Sequence, residues 1–268
     1  MKRGSMRSAA VLLVALCALT GAGLAAQIKL SNDIAWVSSS DAYKCCVQQA
    51  YYDAGRRLRD LARAEKPGTW CVVFDADETI ISNVEFQASL QARGIGYSGR
   101  AWDEWCNKEK ATALPGAREF CAAVREGGGR VVIITNRQEA VKRATLRNLD
   151  ALGFAYDACL FREGPYGADR SKAMRRADLE RGMLKTLPEG KRLPPLKIMM
   201  LVGDQVHDLY NDDELGFKDV KERFGKDLVI IPNPMYGDWE KGGTFVEAVG
   251  AASVRPAEKG AKAPAASP

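Results

Sequence analysis

Four acidic residues stand where a chain could use them for chemistry. Asp75 and Asp77 are one residue apart, and Asp204 and Asp208 follow much later. Between the two pairs come a hydroxyl, an amide and a guanidinium in succession, Thr135-Asn136-Arg137, and then Lys172 in a basic stretch. Carboxylates can attack as nucleophiles, move protons, or hold a hard cation. Two of them side by side repel, and keeping both ionised is costly unless a cation lies between them. A divalent ion such as Mg2+, which prefers oxygen ligands, relieves that cost. The chain has a single histidine and no cysteine spacing of a zinc site, so His- and Cys-based metal chemistry is disfavoured.

These groups need a frame, and each follows a short apolar run. Cys71-Val72-Val73-Phe74 precedes Asp75, Val131 to Ile134 precedes Thr135, and Ile198 to Val202 precedes Gly203-Asp204. Their length and β-branched content predict buried strands, with two more near Ala158–Phe161 and Leu228–Ile231. Open α/β sheets bind ligands at the C-terminal ends of their strands. Alternate residues of an extended strand point the same way, so Asp75 and Asp77 address one site if the extension persists. Asp77-Glu78-Thr79 would also suit the start of a helix. Helical patterns are expected over 40–61, from Pro115 to the glycines at 127–129, over 139–152, over 169–183 and in the charged stretch 212–224. Strand, helix, strand in this rhythm predicts a parallel sheet flanked by helices.

Between Ser82 and Pro115 no strand is evident. Phe86, Tyr97, Trp102 and Trp105 are interleaved there with polar residues around Gly94-Ile95-Gly96, which reads as an inserted helical flap beside the site. Trp105 is expected in a satellite apolar cluster. The expected layout is a leader over 1–26, one domain over 27–250 with a cap insertion at 82–115, and a disordered Ala/Pro/Lys/Gly tail over 251–268.

The leader reading rests on Lys2, Arg3 and Arg7 ahead of an apolar stretch from Ala9 to Leu19 and small residues through Ala26. That run is short for a membrane span, and cleavage is expected near Ala25 or Ala26. Cys17 raises a lipid anchor, but Leu16 precedes it where a lipobox has a small residue. A periplasmic or secreted protein is therefore expected, with an outer-membrane lipoprotein as the alternative. Removing the leader lowers the net charge from +5 to +2, so the basic balance does not point to nucleic acid or membranes. Six cysteines remain, and export would permit disulfides in any of fifteen full pairings. Cys71 fits equally well as a small buried hydrophobe.

Three strand ends carrying Asp75/Asp77, Thr135 and Asp204/Asp208, with a basic helix between the last two, resemble the four signatures of the haloacid dehalogenase-like (HAD) superfamily. Phe74-Asp75-Ala76-Asp77-Glu78-Thr79, Ile134-Thr135-Asn136-Arg137, Lys172-Ala173-Met174-Arg175, Gly203-Asp204 and Pro232-Asn233-Pro234-Met235-Tyr236-Gly237 narrow the resemblance to class C bacterial acid phosphatases. That group includes the lipoprotein e(P4)-type 5'-nucleotidases, and plant acid phosphatases and vegetative storage proteins are related. The resemblance covers roughly residues 41–240. It implies a Rossmann-like, HAD-type α/β fold, with a mostly helical cap formed by the N-terminal segment and the insertion after the first strand.

For the site, the resemblance implies Asp75 as nucleophile and Asp77 as the acid that protonates the leaving oxygen and then activates water. An acid in that role starts protonated, which fits an acidic optimum. Thr135, Asn136 and Lys172 would hold the phosphoryl oxygens. Asp75, the carbonyl of Asp77, and Asp204 would coordinate Mg2+, with Asp208 in support. Lys172 falls where the third signature has its lysine, with Arg170 and Arg175 as alternatives and a solvated helix charge as the plain reading. Phe86, Trp102 and Tyr236 could stack on an aromatic leaving group such as a nucleobase, or simply pack in the core. Ser82 stands where the family more often has Asp, and Gln205 where it usually has Asn, which bears on metal tuning and substrate choice. The expected substrate is a small phosphomonoester, with a storage or binding protein on the same scaffold, or a phosphotransferase, as alternatives. Nucleic acid is disfavoured by the near-neutral processed charge.

Overall fold

The computed structural model describes residues 29–184, 190, 192–211 and 215–241, so the leader and tail expectations lie outside the described residues. A short helix, Asn32–Ser39 (α1), precedes Asp41–Ala62 (α2). Ser40 caps α2, its Oγ accepting from the Tyr43 N–H at 3.4 Å. Tyr43, Val47, Tyr51, Ala54 and Leu58 recur at three- and four-residue steps and form its buried stripe.

Five parallel strands make the central sheet: Trp70–Phe74 (β1), Arg130–Gln138 (β4), Ala158–Arg162 (β5), Lys197–Gly203 (β6) and Leu228–Ile230 (β7). Their order is β5-β4-β1-β6-β7. The chain winds outward from β1 in both directions, so the strand order reverses beside β1, where a doubly wound sheet opens its ligand crevice. Every residue of β1 is buried. Val72 and Phe74 face one core with Tyr51, Phe120 and Leu149; Cys71 and Val73 face the other with Leu179, Leu196 and Leu209. Helices Ala117–Glu126 (α5) and Lys142–Ala151 (α6) thus cover one face and Ala173–Glu180 (α7) the other. The turn before β4 needs glycine: a Cβ at Gly129 would lie 2.2 Å from the Trp70 ring.

The segment after β1 carries helices Val84–Ala92 (α3) and Gly99–Cys106 (α4). It is also closed at its root by two-residue strands, Ile81–Ser82 (β2) and Thr112–Ala113 (β3), paired antiparallel. This ribbon corrects the expectation of no strand there; two residues are too few to give a periodic signal. Within it Phe86 packs on Trp102 and Trp105, with ring centroids 5.3 and 6.1 Å apart. From the N-terminal side Ser31 bonds Gln91 of α3 through its N–H (2.9 Å). The six cysteines among the described residues are free, Cys45 and Cys46 exposed and the others buried, so the disulfide option is not taken. No helix among the described residues is long and apolar enough to cross a membrane.

Candidate active site

β1 ends at Phe74 and delivers Asp75, whose N–H donates to the Val202 carbonyl of β6 at 2.9 Å. β6 in turn delivers Asp204, and the single turn Val206–Leu209 (α8) folds Asp208 back over the strand end. A Cβ at Gly203 would come within 2.2 Å of Asp208 Cβ, so only glycine permits that closure. Carboxylate oxygens of Asp75, Asp204 and Asp208 lie within 4.8 Å of one another. Asp204 accepts from Gln205 Nε2 and Asn233 Nδ2, both at 2.8 Å, which ties the loop after β7 to the cluster.

Lys172 inserts its ammonium between two of these acids, pairing with Asp75 and, at 2.6 Å, with Asp208. It does not lie on a helix as expected: α7 starts at Ala173, and Lys172 precedes it in a left-handed conformation (φ 62°). Such a backbone is costly for a branched or long residue and persists where the surroundings enforce it. Here the enforcing residue is Arg175, fully buried, which sequence reading had set among alternatives to Lys172. Its Nε donates to Asp169 Oδ2 (3.1 Å), Nη1 to the Thr135 carbonyl (2.6 Å) and Nη2 to Asn136 Oδ1 (2.8 Å). Asn136 Nδ2 meanwhile donates to the Arg170 carbonyl (2.9 Å). Both ends of the Asn136 side-chain amide therefore bond within the lysine loop. Thr135 is buried, and its Oγ accepts from the Arg137 N–H at 3.1 Å, which leaves the hydroxyl proton free to donate.

Burial is the largest influence on Asp75 and raises its carboxyl to about 7, with Lys172 opposing and Asp208 and Asp77 adding to the rise. Asp204 is pushed well above the carboxylate range by burial and then by Asp208 and Asp75. Burial acts on Asp208 too, but Lys172 and His207 outweigh it and hold that carboxyl low. The lysine thus satisfies Asp208, while Asp75 and Asp204 remain short of positive charge. A divalent cation with oxygen ligands fits that deficit.

Asp77 stands apart from the three. Its carboxylate rests on Arg137, with Nη2 to Oδ1 at 2.7 Å and Nε to both oxygens at 3.1 and 3.2 Å, and on Asn83 Nδ2 at 2.8 Å. Its side chain therefore does not belong to the acidic trio. Arg137 is itself buried, bonded to Thr145 Oγ1 (2.9 Å) and lying 5.2 Å from the Trp102 ring centre. Glu78, left-handed at φ 53°, is buried beneath, accepting from the Asn83 N–H (2.5 Å) and from the Tyr236 hydroxyl. Burial, then Asp77, raise the Glu78 carboxyl to about 7. Of the three aromatics considered for substrate contact, Phe86 is enclosed at 3% exposure, whereas Trp102 and Tyr236 are half-buried. Phe86 is thus a wall of the cap cluster and not an open stacking face.

Known proteins now bear on this arrangement. The family described as HAD superfamily, subfamily IIIB (acid phosphatase), matches residues 20–239. The chain belongs to this family. Among solved structures it is similar to the class C acid phosphatase of Bacillus anthracis with tungstate bound, at 28% identity and a TM-score of 0.67, covering 78% of this chain and 85% of that one. It is 25% identical to the stem 31 kDa glycoprotein of Glycine max over 70% of this chain and 65% of that protein. It is also 25% identical to acid phosphatase 1 of Solanum lycopersicum over 72% of this chain and 69% of that protein. The match thus spans about two thirds of these plant relatives.

Sequence reading gave no role to Asn83 or Glu78, noted Arg137 only as part of its motif, and held Arg175 only as an alternative to Lys172. Each lies inside a recognised motif or beside one. Charged side chains are mostly exposed, though, and nothing in a single sequence marks which ones are buried.

Proposed function

We propose that this subfamily IIIB chain hydrolyses small phosphomonoesters, Asp75 attacking phosphorus while Asp77 serves the leaving group. The observation that carries this reading is the lysine-bridged trio at the switch point of the sheet, with a second acid held separately two residues on. In the first step an Asp75 oxygen bonds to phosphorus, the bond to the leaving oxygen breaks, and Asp77 gives that oxygen a proton. In the second step Asp77 takes a proton from water, which attacks the aspartyl phosphate and frees inorganic phosphate. Lys172 and the Thr135 hydroxyl would stabilise the charge on the transferring oxygens. Asp75, Asp204 and the Asp77 carbonyl would hold Mg2+, with Asp208 in support. Bound there, the ion would screen the phosphate charge from the attacking carboxylate.

The half-buried rings of Trp102 and Tyr236 support a leaving group with a flat face, such as the base of a 5'-nucleotide. The similar Bacillus anthracis protein binds tungstate, an oxyanion, which agrees with an oxyanion pocket here. The basic and then apolar opening of the chain supports export to the periplasm or beyond. The mass of the mature N-terminus checks this, and an unprocessed chain would contradict it.

The test of activity is phosphate release from an aryl phosphate and from a 5'-nucleotide, across about pH 4 to pH 8, with Mg2+ or with EDTA. EDTA-sensitive release is the expected result. Absence of release from folded, metal-loaded protein would instead favour a storage protein on this scaffold.

A further inference from the structure

The two oxygens of Asp77 are not equivalent. Oδ1 accepts from Arg137 Nη2 (2.7 Å), Asn83 Nδ2 (2.8 Å) and a share of Arg137 Nε (3.1 Å), whereas among the described residues Oδ2 accepts only the other share of Nε, at 3.2 Å. A carboxylate oxygen offers about two lone-pair sites. Three donors fill Oδ1, while Oδ2 keeps room for a proton. We propose that Arg137 and Asn83 are positioning residues that turn Asp77 so that Oδ2 is the oxygen exchanging a proton with the leaving group. This rests on the acid–base reading of Asp77 given above.

The holder is rigid and is anchored outside the reacting centre. Arg137 comes from β4, is fixed to Thr145 of α6, and lies against Trp102 of α4. Asn83, fully buried at the root of the insertion, donates twice to Glu78 and accepts from Trp105 Nε1 at 2.8 Å and Arg137 Nη2 at 3.2 Å. Neither residue bonds to Lys172, Asp204 or Asp208. The cap therefore reaches the chemistry through the orientation of Asp77 and not through the nucleophile.

Proton donation matters in proportion to the basicity of the leaving oxygen. An alkoxide needs the proton, and a nitrophenolate leaves without it. Removing the holder should bias the enzyme against alkyl phosphates, whereas damage to the fold alone would lower all substrates together. The experiment compares kcat/KM for an alkyl phosphate and for p-nitrophenyl phosphate in Arg137→Met, Asn83→Ala and Trp105→Phe, with Asp77→Asn alongside.

For Arg137→Met the alkyl phosphate should lose on the order of 100-fold and the nitrophenyl ester less than about 10-fold. Trp105→Phe keeps the ring and removes one N–H bond to Asn83; it should show the same bias at about 3-fold, and it decides the matter if Arg137→Met does not fold. Equal losses on both substrates, or no loss, overturn the proposal. Should Asp77→Asn itself show no bias, the acid–base reading fails. If Asp77→Asn shows the bias and the other variants do not, only the holder fails.

Discussion

The site has two halves that differ in how their acids are partnered. Around Asp75 three carboxylates, Asp204 half-buried and the others buried, meet one lysine, so negative charge is left over and desolvation drives two of the acids upward. Around Asp77 two acids, Asp77 and Glu78, meet one buried arginine and a set of neutral donors that fill their oxygens. The first half has fewer donors than its oxygens can take; in the second, donors reach both acids, although burial raises Glu78 there too. The charge deficit thus lies at the ends of β1 and β6, whereas Asp77 is held from β4 and from the root of the insertion. Variants in each half should therefore differ in how they respond to metal.

The largest effect is expected at the nucleophile. Asp75→Asn should lower turnover to background, a loss of at least about 10⁴-fold. Without metal it should melt no lower than the parent near pH 7.5, because it removes a carboxylate that burial disfavours. Residual turnover above background in the folded variant rules out the nucleophile assignment.

Next comes the support under Lys172. Arg175→Ala leaves Asp169 buried with no cation, which should cost about 3–5 kcal/mol of stability in urea unfolding. It should also reduce turnover, because Lys172 then loses its anchored backbone. A loss below about 1 kcal/mol would mean that water or another cation already satisfies Asp169.

Metal separates the halves directly. Asp75 has a folded-state carboxyl raised to about 7 against an ordinary value of 3.8. Below pH 4 both folded and unfolded chains hold its proton, so no penalty applies. As pH rises from there through 7 the unfolded chain releases the proton more readily, and stability in EDTA should fall. Saturating Mg2+ should restore it by roughly 5–10 °C in Tm, more at pH 7.5 than at pH 5. Asp204→Asn should lose most of this shift and Arg137→Met should keep it. Equal shifts in both variants would erase the distinction between the halves.

The same division explains what could be read from the sequence. The first half was legible because apolar strands breaking into Asp75, Thr135 and Asp204 leave a linear signal, and the parallel order follows from strand–helix rhythm. Lys172 was found through its motif, yet its backbone was not: helical periodicity over 169–183 hid a loop fixed by Arg175. The second half left little trace. Asn83 makes its bonds by lying at the crossing of the insertion, β4 and the Asp77 turn, a tertiary fact with no local pattern. The ribbon β2–β3 was too short to register, and Phe86 stayed open between a stacking ring and core because pattern alone does not say which rings face each other.

The smallest expected effect sharpens the boundary between cap and holder. Trp102 lies against Arg137, which holds Asp77, and is half-buried, so its ring could serve the holder, the substrate, or both. Trp102→Leu removes a cation–π contact and should destabilise the fold by about 1 kcal/mol, with the Mg2+ shift unchanged. If the ring also faces the leaving group, KM for a 5'-nucleotide should rise by about 3- to 10-fold while KM for an alkyl phosphate barely moves, since only the base has a π-face to lose. If the ring serves the holder alone, KM should be unaffected and kcat should fall, for alkyl phosphates first, as it does without Arg137. The two roles act on different kinetic constants, so one variant and two substrates distinguish a cap that recognises the leaving group from one that only orients the acid.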